Sequence, residues 1–254
     1  MSKTAPSHAL LSNYQNLTRE LIALLAKMGR LLTTKRHPNS QIRHGILIHS
    51  MLRATRTGDA QLLLSEGLYS EEMHCVNRAL AEISINAAYL QIADEPEVDS
   101  YLRYDKLATA RIVQKMNTSM PKAHRLDQSQ ELGIRQLLAQ PLNDSWSSKS
   151  VPLRAREVDR DCQVDLMTAT ALFVYSAGHS HVHGTASSVA TVGDWMLSGA
   201  DRNDQERLDS TAAALNGTAL CLLSLCMFAG ERYQLGLDSE IMRLQETLNA
   251  VGLN

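Results

Sequence analysis

Apolar residues recur at steps of three and four along most of the chain, which is the spacing that places them on one face of an α-helix. The first such pattern runs from Leu10 to Leu32 and ends before the His37-Pro38 pair. Further helices are predicted over 41–56, 70–92, 97–119, 153–161, 164–189, 204–233 and 237–251. These patterns predict an all-α fold, a multi-helix bundle of roughly seven to nine helices in a single domain.

Turn-forming residues mark the predicted breaks between these helices. Thr57-Gly58-Asp59 predicts a break in the second helix, followed by a short helical piece that ends near Gly67. The stretch 141–152 is rich in serine and turn formers, and we interpret it as an irregular surface loop held in place by Trp146. We prefer a loop to a boundary between subdomains, because neither half of the chain carries a self-contained pattern.

The composition supports a single helical domain. Aromatic residues make up 4% of the 254 residues and the formal net charge is −2, which disfavours both a β-sandwich and broad electrostatic binding of nucleic acid. We expect residues 1–8 to be disordered and residues 9–254 to form the domain. No secretion signal is evident at the start, so we predict a cytoplasmic protein. Short basic clusters such as Arg154-Ala-Arg156 are interpreted as solvated faces.

The most apolar of the predicted helices is the one over 204–233. Its stretch from Ala212 to Gly230 is almost uncharged and approaches the length of a membrane span. We interpret it as a helix buried on all sides, because polar residues lower its hydrophobicity and no other segment resembles a span. Reduced and mostly buried thiols are expected at the four cysteines, which form no Cys-x-x-Cys pair: Cys75, Cys162, Cys221 and Cys226.

The predicted helix over 70–92 carries charge within an apolar surface. At about 100° per residue, Arg78 and Glu82 lie on the same side as Ile85 and Tyr89. Buried charges have to be paired or hydrogen-bonded, since an isolated one costs several kcal/mol. One interpretation is an interior ion pair that fixes the position of the helix. The other is the polar floor of a cleft, in which Arg78 binds phosphate.

A second polar cluster is the segment Tyr175-Ser-Ala-Gly-His179-Ser-His181-Val-His183. In a helix, Tyr175, His179 and His183 share one face. Three roles stay open for these histidines: acid–base catalysis near neutral pH, a metal site completed by another helix, or capping and core hydrogen bonds. The candidates for a further metal ligand are Asp161, Asp165 and His124.

A third pattern, Arg43-His44-Gly-Ile-Leu-Ile-His49, fits the Arg-x(4–6)-His motif of HEPN ribonucleases. In such an enzyme the arginine stabilises charge on the phosphorane, the histidine moves a proton, and the RNA 2′-hydroxyl is the nucleophile. We therefore treat Arg43 and His49 as an alternative catalytic pair. Gly-rich phosphate loops and a Gly-x-Ser-x-Gly elbow are both missing from the sequence.

Four segments together resemble a widespread bacterial all-helical family of unknown function. That family has an Arg-x-x-x-Glu helix and a later Ser-rich helix that ends in Val-His-Gly or Val-His-Pro. The segments cover about residues 45–190, and they are Val76-Asn-Arg78-Ala-Leu-Ala-Glu82 with Tyr89-Leu90, Glu97 to Tyr104, Trp146, and Tyr175 to Gly184.

The resemblance implies that Arg78, Glu82 and His183 form the polar centre of the fold. This chain has His179 where the family often has a hydroxyl residue one turn before the last histidine, so Ser176 or Ser180 takes that role. The family is similar in architecture to HEPN-type domains, many of which are ribonucleases or act in phage defence and toxin systems.

The leading hypothesis is a metal-independent ribonuclease or phosphoesterase that needs no cofactor. Its catalytic residues would be Arg78, Glu82, His179 and His183, and its substrate-binding residues Tyr175, Ser176 and Ser180. Arg78 would hold phosphate, Glu82 would orient Arg78 or a histidine, and His183 would be the acid or base. The expected partner is RNA or another protein, the chain is expected to form a homo-oligomer, and no membrane is expected.

The competing hypothesis is a non-enzymatic interaction or regulatory module. In that case Arg78, Glu82 and His183 form a closed structural network, and function resides in a partner surface. The long leucine-rich first helix fits either a dimer contact or a place in the core.

Overall fold

The structure is a computed structural model that describes residues 6–35, 40–121, 125–139, 145–162, 166–178 and 204–252. Within these ranges the chain forms helices and no strand, which confirms the predicted all-α fold. The nine helices of the described ranges are α1 (Pro6–Thr34), α2 (Gln41–Glu66), α3 (Ser70–Ile92), α4 (Glu95–Ser119), α5 (Gln128–Leu138), α6 (Val151–Cys162), α7 (Leu166–Gly178), α8 (Asp204–Tyr233) and α9 (Asp238–Gly252).

Spatial contacts divide the chain into two compact units. The larger unit comprises residues 1–92 and 151–254, and the smaller unit comprises residues 93–150. The boundary at residue 150 lies inside the stretch 141–152, which we had interpreted as a surface loop of one domain. The start of α1 at Pro6 lies inside the segment 1–8 that was expected to be disordered.

The smaller unit contains α4, α5 and the segment around Trp146. Asp94 caps α4 by accepting a hydrogen bond from the Glu97 amide at 3.0 Å, as an N-cap carboxylate does. The Trp146 ring is buried edge-on against Tyr101, with 5.0 Å between the ring centroids. Ser100 donates to the Trp146 carbonyl at 2.7 Å. Trp146 therefore anchors the part of the predicted loop that the structure describes, residues 145–150.

The core of the larger unit is formed mainly by α1, α2, α3 and α8, which pack on one another. Leu17, Leu21, Leu25 and Leu32 of α1 are almost completely buried in it. Burying a leucine side chain is worth roughly 1.5–3 kcal/mol. The core therefore accounts for these four leucines of the first helix.

Gly58 does not break α2, which is continuous from Gln41 to Glu66. A Cβ atom at this position would lie 2.9 Å from Ile22 Cγ1 and 3.3 Å from Leu222 Cδ1. The glycine therefore allows α1 and α8 to approach α2 closely, and the predicted break was wrong because close helix packing also requires glycine.

By length and composition alone, the part of α8 from Gln205 to Tyr233 could cross a membrane. Core helices of soluble proteins pass the same test, and 72% of the most apolar 18-residue window is buried inside the structure. The burial fits the prediction of a helix buried within the bundle, covered by α1, α2 and α3.

Candidate functional site

The centre of the candidate site is a contact between Arg78 on α3 and Tyr175 on α7. The Arg78 guanidinium lies over the Tyr175 ring, with its Cζ atom 4.2 Å from the ring centroid. Its Nη2 atom donates a hydrogen bond to the Tyr175 hydroxyl at 3.0 Å. Both side chains are half-buried. Stacking and hydrogen bonding together fix the plane of the guanidinium, which is the geometry in which arginine recognises planar or tetrahedral anions.

Tyr175 is placed by a π-helical turn, Ala171–Tyr175, within α7. Just after the turn, the exposed Ser176 donates its hydroxyl hydrogen to the Ala171 carbonyl at 3.0 Å. The Ser176 backbone amide donates to the same carbonyl, which is the five-residue spacing of a π-helical turn, so the hydroxyl gives this carbonyl a second hydrogen bond. Such turns occur frequently at functional sites.

Gly178 brings α7 directly onto α3 beside this contact. A Cβ atom at Gly178 would lie 2.7 Å from Arg78 Cβ and 2.8 Å from the His74 carbonyl oxygen. Since the second of these is a backbone atom, any larger residue would have to push the two helices apart. The glycine therefore sets the distance at which Tyr175 meets Arg78.

Glu82 lies one turn beyond Arg78 on α3 and is half-buried. Among the described residues it forms no hydrogen bond or ion pair, so the predicted interior ion pair between Arg78 and Glu82 is not formed. Tyr175, an aromatic residue and not a carboxylate, is the side chain stacked on Arg78. The sequence indicated that both charges need tertiary partners, and Tyr175 is one such partner of Arg78.

The histidine part of the predicted site lies outside the described residues. This applies to His179, Ser180, His181 and His183, and also to the proposed additional metal ligands Asp165 and His124. Asp161 is described, and it is exposed and forms an ion pair with Arg232 at 3.3 Å. In the described part of the chain, no group of three or more His, Cys, Asp or Glu side chains is placed to hold a metal ion.

The alternative catalytic pair, Arg43 and His49, lies on α2, with both residues on one helix. Arg43 Nη1 donates to the Leu90 carbonyl at 2.7 Å, near the C-terminal end of α3. Carbonyls in the last turn of a helix have no intrahelical partner, so this bond has a clear structural use. His49 is exposed, six residues further along α2 or about 9 Å along its axis.

A buried polar cluster next to Arg78 was not predicted from the sequence. Asn77 accepts hydrogen bonds from Gln61 Nε2 at 2.6 Å and from the Thr218 hydroxyl at 2.8 Å, and it donates to the Ala214 carbonyl at 2.6 Å. Only 1% of Asn77 is exposed. The cluster joins α2, α3 and α8. It could have been found from its spacing, since Asn77 lies between Met73 and Leu80 on the apolar face.

Arg154 on α6 is also buried, with 3% of its surface exposed, so the interpretation of Arg154-Ala-Arg156 as a solvated face was wrong for its first residue. The buried face of α6 also contains Val151, Ala155 and Val158, and Arg154 falls within that helical spacing. The buried Asp159 of the same helix accepts hydrogen bonds from amides at the start of α7, at 3.0 Å from Met167 and 2.6 Å from Thr168. Arg156 is exposed, as predicted.

The three buried cysteines, Cys162, Cys221 and Cys226, do not provide a nucleophile near neutral pH. All four cysteines of the chain are free, and all except Cys75 are buried, in agreement with the prediction. Burial raises the pKa of Cys162 to about 11, with a further contribution from the nearby Glu231 and Asp161 carboxylates. Burial also raises the pKa of Cys221 and Cys226 strongly. Thiols with such pKa values stay protonated and unreactive.

Fold and site together define an all-helical protein in which an arginine and a tyrosine meet between two helices. A family model matches residues 44–194, more than half of the chain. The chain belongs to this family, the family of unknown function DUF5677. The matched range confirms the resemblance that was predicted over about residues 45–190. No match was found among curated proteins or among solved structures.

Proposed function

We propose that this chain is a metal-independent ribonuclease or phosphoesterase in which Arg78 binds the phosphate. The observation that carries the proposal is the fixed plane of the Arg78 guanidinium, which is stacked on Tyr175 and hydrogen-bonded to its hydroxyl. A guanidinium held in this way loses little side-chain conformational entropy when it forms two parallel hydrogen bonds to a phosphate.

The histidines that follow Tyr175 in sequence would supply the proton transfers. His183 would accept the proton of the RNA 2′-hydroxyl as the oxygen attacks phosphorus, and His179 would donate a proton to the departing 5′-oxygen. Arg78 would stabilise the additional negative charge on the phosphorane. The half-buried Glu82, one turn from Arg78, would orient Arg78 or a histidine. A cytoplasmic role in bacterial defence or in a toxin system remains part of this proposal.

A second candidate function is a non-enzymatic interaction module. The close approach at Gly178 and the Arg78–Tyr175 contact both join α7 to α3. These two features support a structural clamp as well as a binding site. In this case a partner protein would bind elsewhere on the surface.

The first experiment is an RNA cleavage assay in the presence of excess EDTA. We expect cleavage of single-stranded RNA to products with 2′,3′-cyclic phosphate ends, and no cleavage of 2′-O-methyl RNA, which lacks the nucleophile. Arg78→Ala should lower kcat/KM by about a hundredfold or more, the loss typical for a group that stabilises transition-state charge. His183→Ala should reduce kcat by a similar factor.

The control is Arg111→Ala, which removes an exposed arginine of α4 and should leave cleavage unchanged. Thermal unfolding of each variant distinguishes the two candidate functions. If the wild-type chain cleaves neither RNA nor a simple phosphodiester, and Arg78→Ala only lowers the melting temperature, the clamp is correct and the enzyme proposal is wrong.

A further inference from the structure

The side of α2 that faces away from the core carries a regular pattern of exposed residues. Three of them are large and apolar: Ile42 is 53% exposed, Leu52 is 48% exposed and Leu63 is 69% exposed. Eight of the eleven exposed residues of α2 fall into two series with a period of seven, namely Ile42, His49, Arg56 and Leu63, and Gly45, Leu52, Asp59 and Glu66; the other three are Gln41, Arg53 and Ala60.

The two series are offset by three residues, as are the a and d positions of a coiled coil. They lie opposite the face of α2 that is buried in the core, which contains Leu47, Met51, Ala54, Gly58, Gln61 and Ser65. The core therefore accounts for one side of α2, and the apolar residues of the outer side have no role within the described part of the chain.

We infer that this outer face of α2 binds the same face of a second copy of the chain, with the two helices antiparallel. In one register, three pairs of opposing residues from the two series are complementary, while Ile42 and Gly45 lie beyond the paired stretch. Leu52 lies against Leu63 of the other copy, Arg56 against Asp59, and His49 against Glu66. Because the pairing is symmetric about a point between residues 57 and 58, each contact occurs twice, as a two-fold dimer requires.

The charged and polar residues of this face support the pairing. Among the described residues, Arg56, Asp59, His49 and Glu66 form no hydrogen bond or ion pair within the chain. A parallel arrangement would place Arg56 against Arg56 and Asp59 against Asp59, and like charges in register are unfavourable. The pattern is thus specific for the antiparallel arrangement of two identical helices.

The paired stretch from His49 to Glu66 is about 26 Å long. A two-helix contact of this length is at the small end of specific interfaces, so we expect a dimer that dissociates at micromolar concentration. This inference does not depend on the proposed enzymatic activity, because it concerns a different face of the chain. Its test measures the mass of the dimer, whereas the enzyme proposal is tested by RNA cleavage.

The test exchanges the charges of one pair, using sedimentation velocity over a range of protein concentrations. In Arg56→Asp the new carboxylate faces Asp59 of the other copy, and in Asp59→Arg the new guanidinium faces Arg56. Each substitution should weaken the dimer about tenfold or more. The double variant Arg56→Asp/Asp59→Arg should restore the wild-type dissociation constant to within about threefold.

An equimolar mixture of the two single variants should form a heterodimer, since it places two aspartates against two arginines. Arg111→Asp, which makes the same charge change on an exposed position of α4, should leave the dissociation constant unchanged. Leu63→Ser should also weaken the dimer, whereas Leu132→Ser, at an exposed leucine of α5, should not.

Three results would overturn the inference. The first is a wild-type chain that stays monomeric at high micromolar concentration. The second is a dimer that both single charge variants leave intact, which would place the interface elsewhere. The third is a folded double variant, shown by circular dichroism, that remains as weak as the single ones.

Discussion

Asn77 and Arg78 are adjacent in sequence, yet their surroundings on α3 are very different. Asn77 points into the core, where it makes three hydrogen bonds to α2 and α8 and is almost completely buried. Arg78 points to α7, is half-buried, and has a stacked tyrosine beside its guanidinium. One residue step, about 100° around the helix, therefore separates the buried Asn77 from the half-buried Arg78.

The comparison shows how a structural polar group differs from a candidate functional one. A buried amide has to be satisfied by the protein itself, because water cannot reach it and an unpaired group costs about 1–3 kcal/mol. A half-buried guanidinium is partly exposed to solvent, so a ligand could reach it. We therefore expect substitutions at Asn77 to act on stability, and substitutions around Arg78 to act on binding.

The largest effect is expected for Asn77→Ala. The substitution removes three buried hydrogen bonds and leaves a cavity, so the free energy of unfolding should fall by about 3 kcal/mol or more. Urea denaturation measures this change. Asn216→Ala, at an exposed asparagine of α8, is the matched control and should change stability by less than about 0.5 kcal/mol. A loss as small as that of the control would show that the cluster around Asn77 does not stabilise the fold.

An intermediate effect is expected for Gly178→Ala. The added methyl group would meet the His74 carbonyl, so α7 has to move away from α3 at a cost of about 1–3 kcal/mol. Gly133→Ala is the control, because nothing lies within 4 Å of a Cβ atom at that position on α5. That substitution should leave stability unchanged or raise it by up to about 1 kcal/mol. Equal stability of the two variants would argue against a close contact at Gly178.

The smallest effect on stability is expected for Tyr175→Phe. The ring that stacks on Arg78 is kept and only the hydroxyl group is lost, so the free energy of unfolding should change by less than about 1 kcal/mol. If Arg78 binds phosphate, the KM for RNA should rise, because the hydroxyl no longer fixes the guanidinium plane. A large loss of stability with an unchanged KM would instead assign Arg78 and Tyr175 to the structural clamp.

The helices themselves were largely predictable, because their signals are local. The bounds of α3 and α8 agree with those predicted from cap residues and apolar spacing. The short helix α5 was missed, although its apolar residues are separated from its polar ones around the helix. Gly58 was interpreted as a break, because the sequence alone does not reveal that Ile22 and Leu222 lie beside it.

The candidate site was predictable only in part. Helical spacing placed Arg78 and Tyr175 on polar faces of two helices, but their contact depends on how α7 packs against α3, and that is a tertiary property. Arg154 shows the opposite failure: its charge suggested solvent, whereas its position among apolar residues of α6 places it in the interior. For a charged residue within an apolar face, the helical spacing therefore predicts burial better than the residue type does.

The π-helical turn in α7 has a consequence for comparing members of this family. Such a turn contains one residue more than an α-helical turn, so the residues after Tyr175 are rotated by about 100° relative to an uninterrupted helix. A relative that lacks one residue between 171 and 175 would present a different face of this helix to α3. A single-residue gap at this point, which a sequence alignment treats as minor, would thus change which side chain meets Arg78.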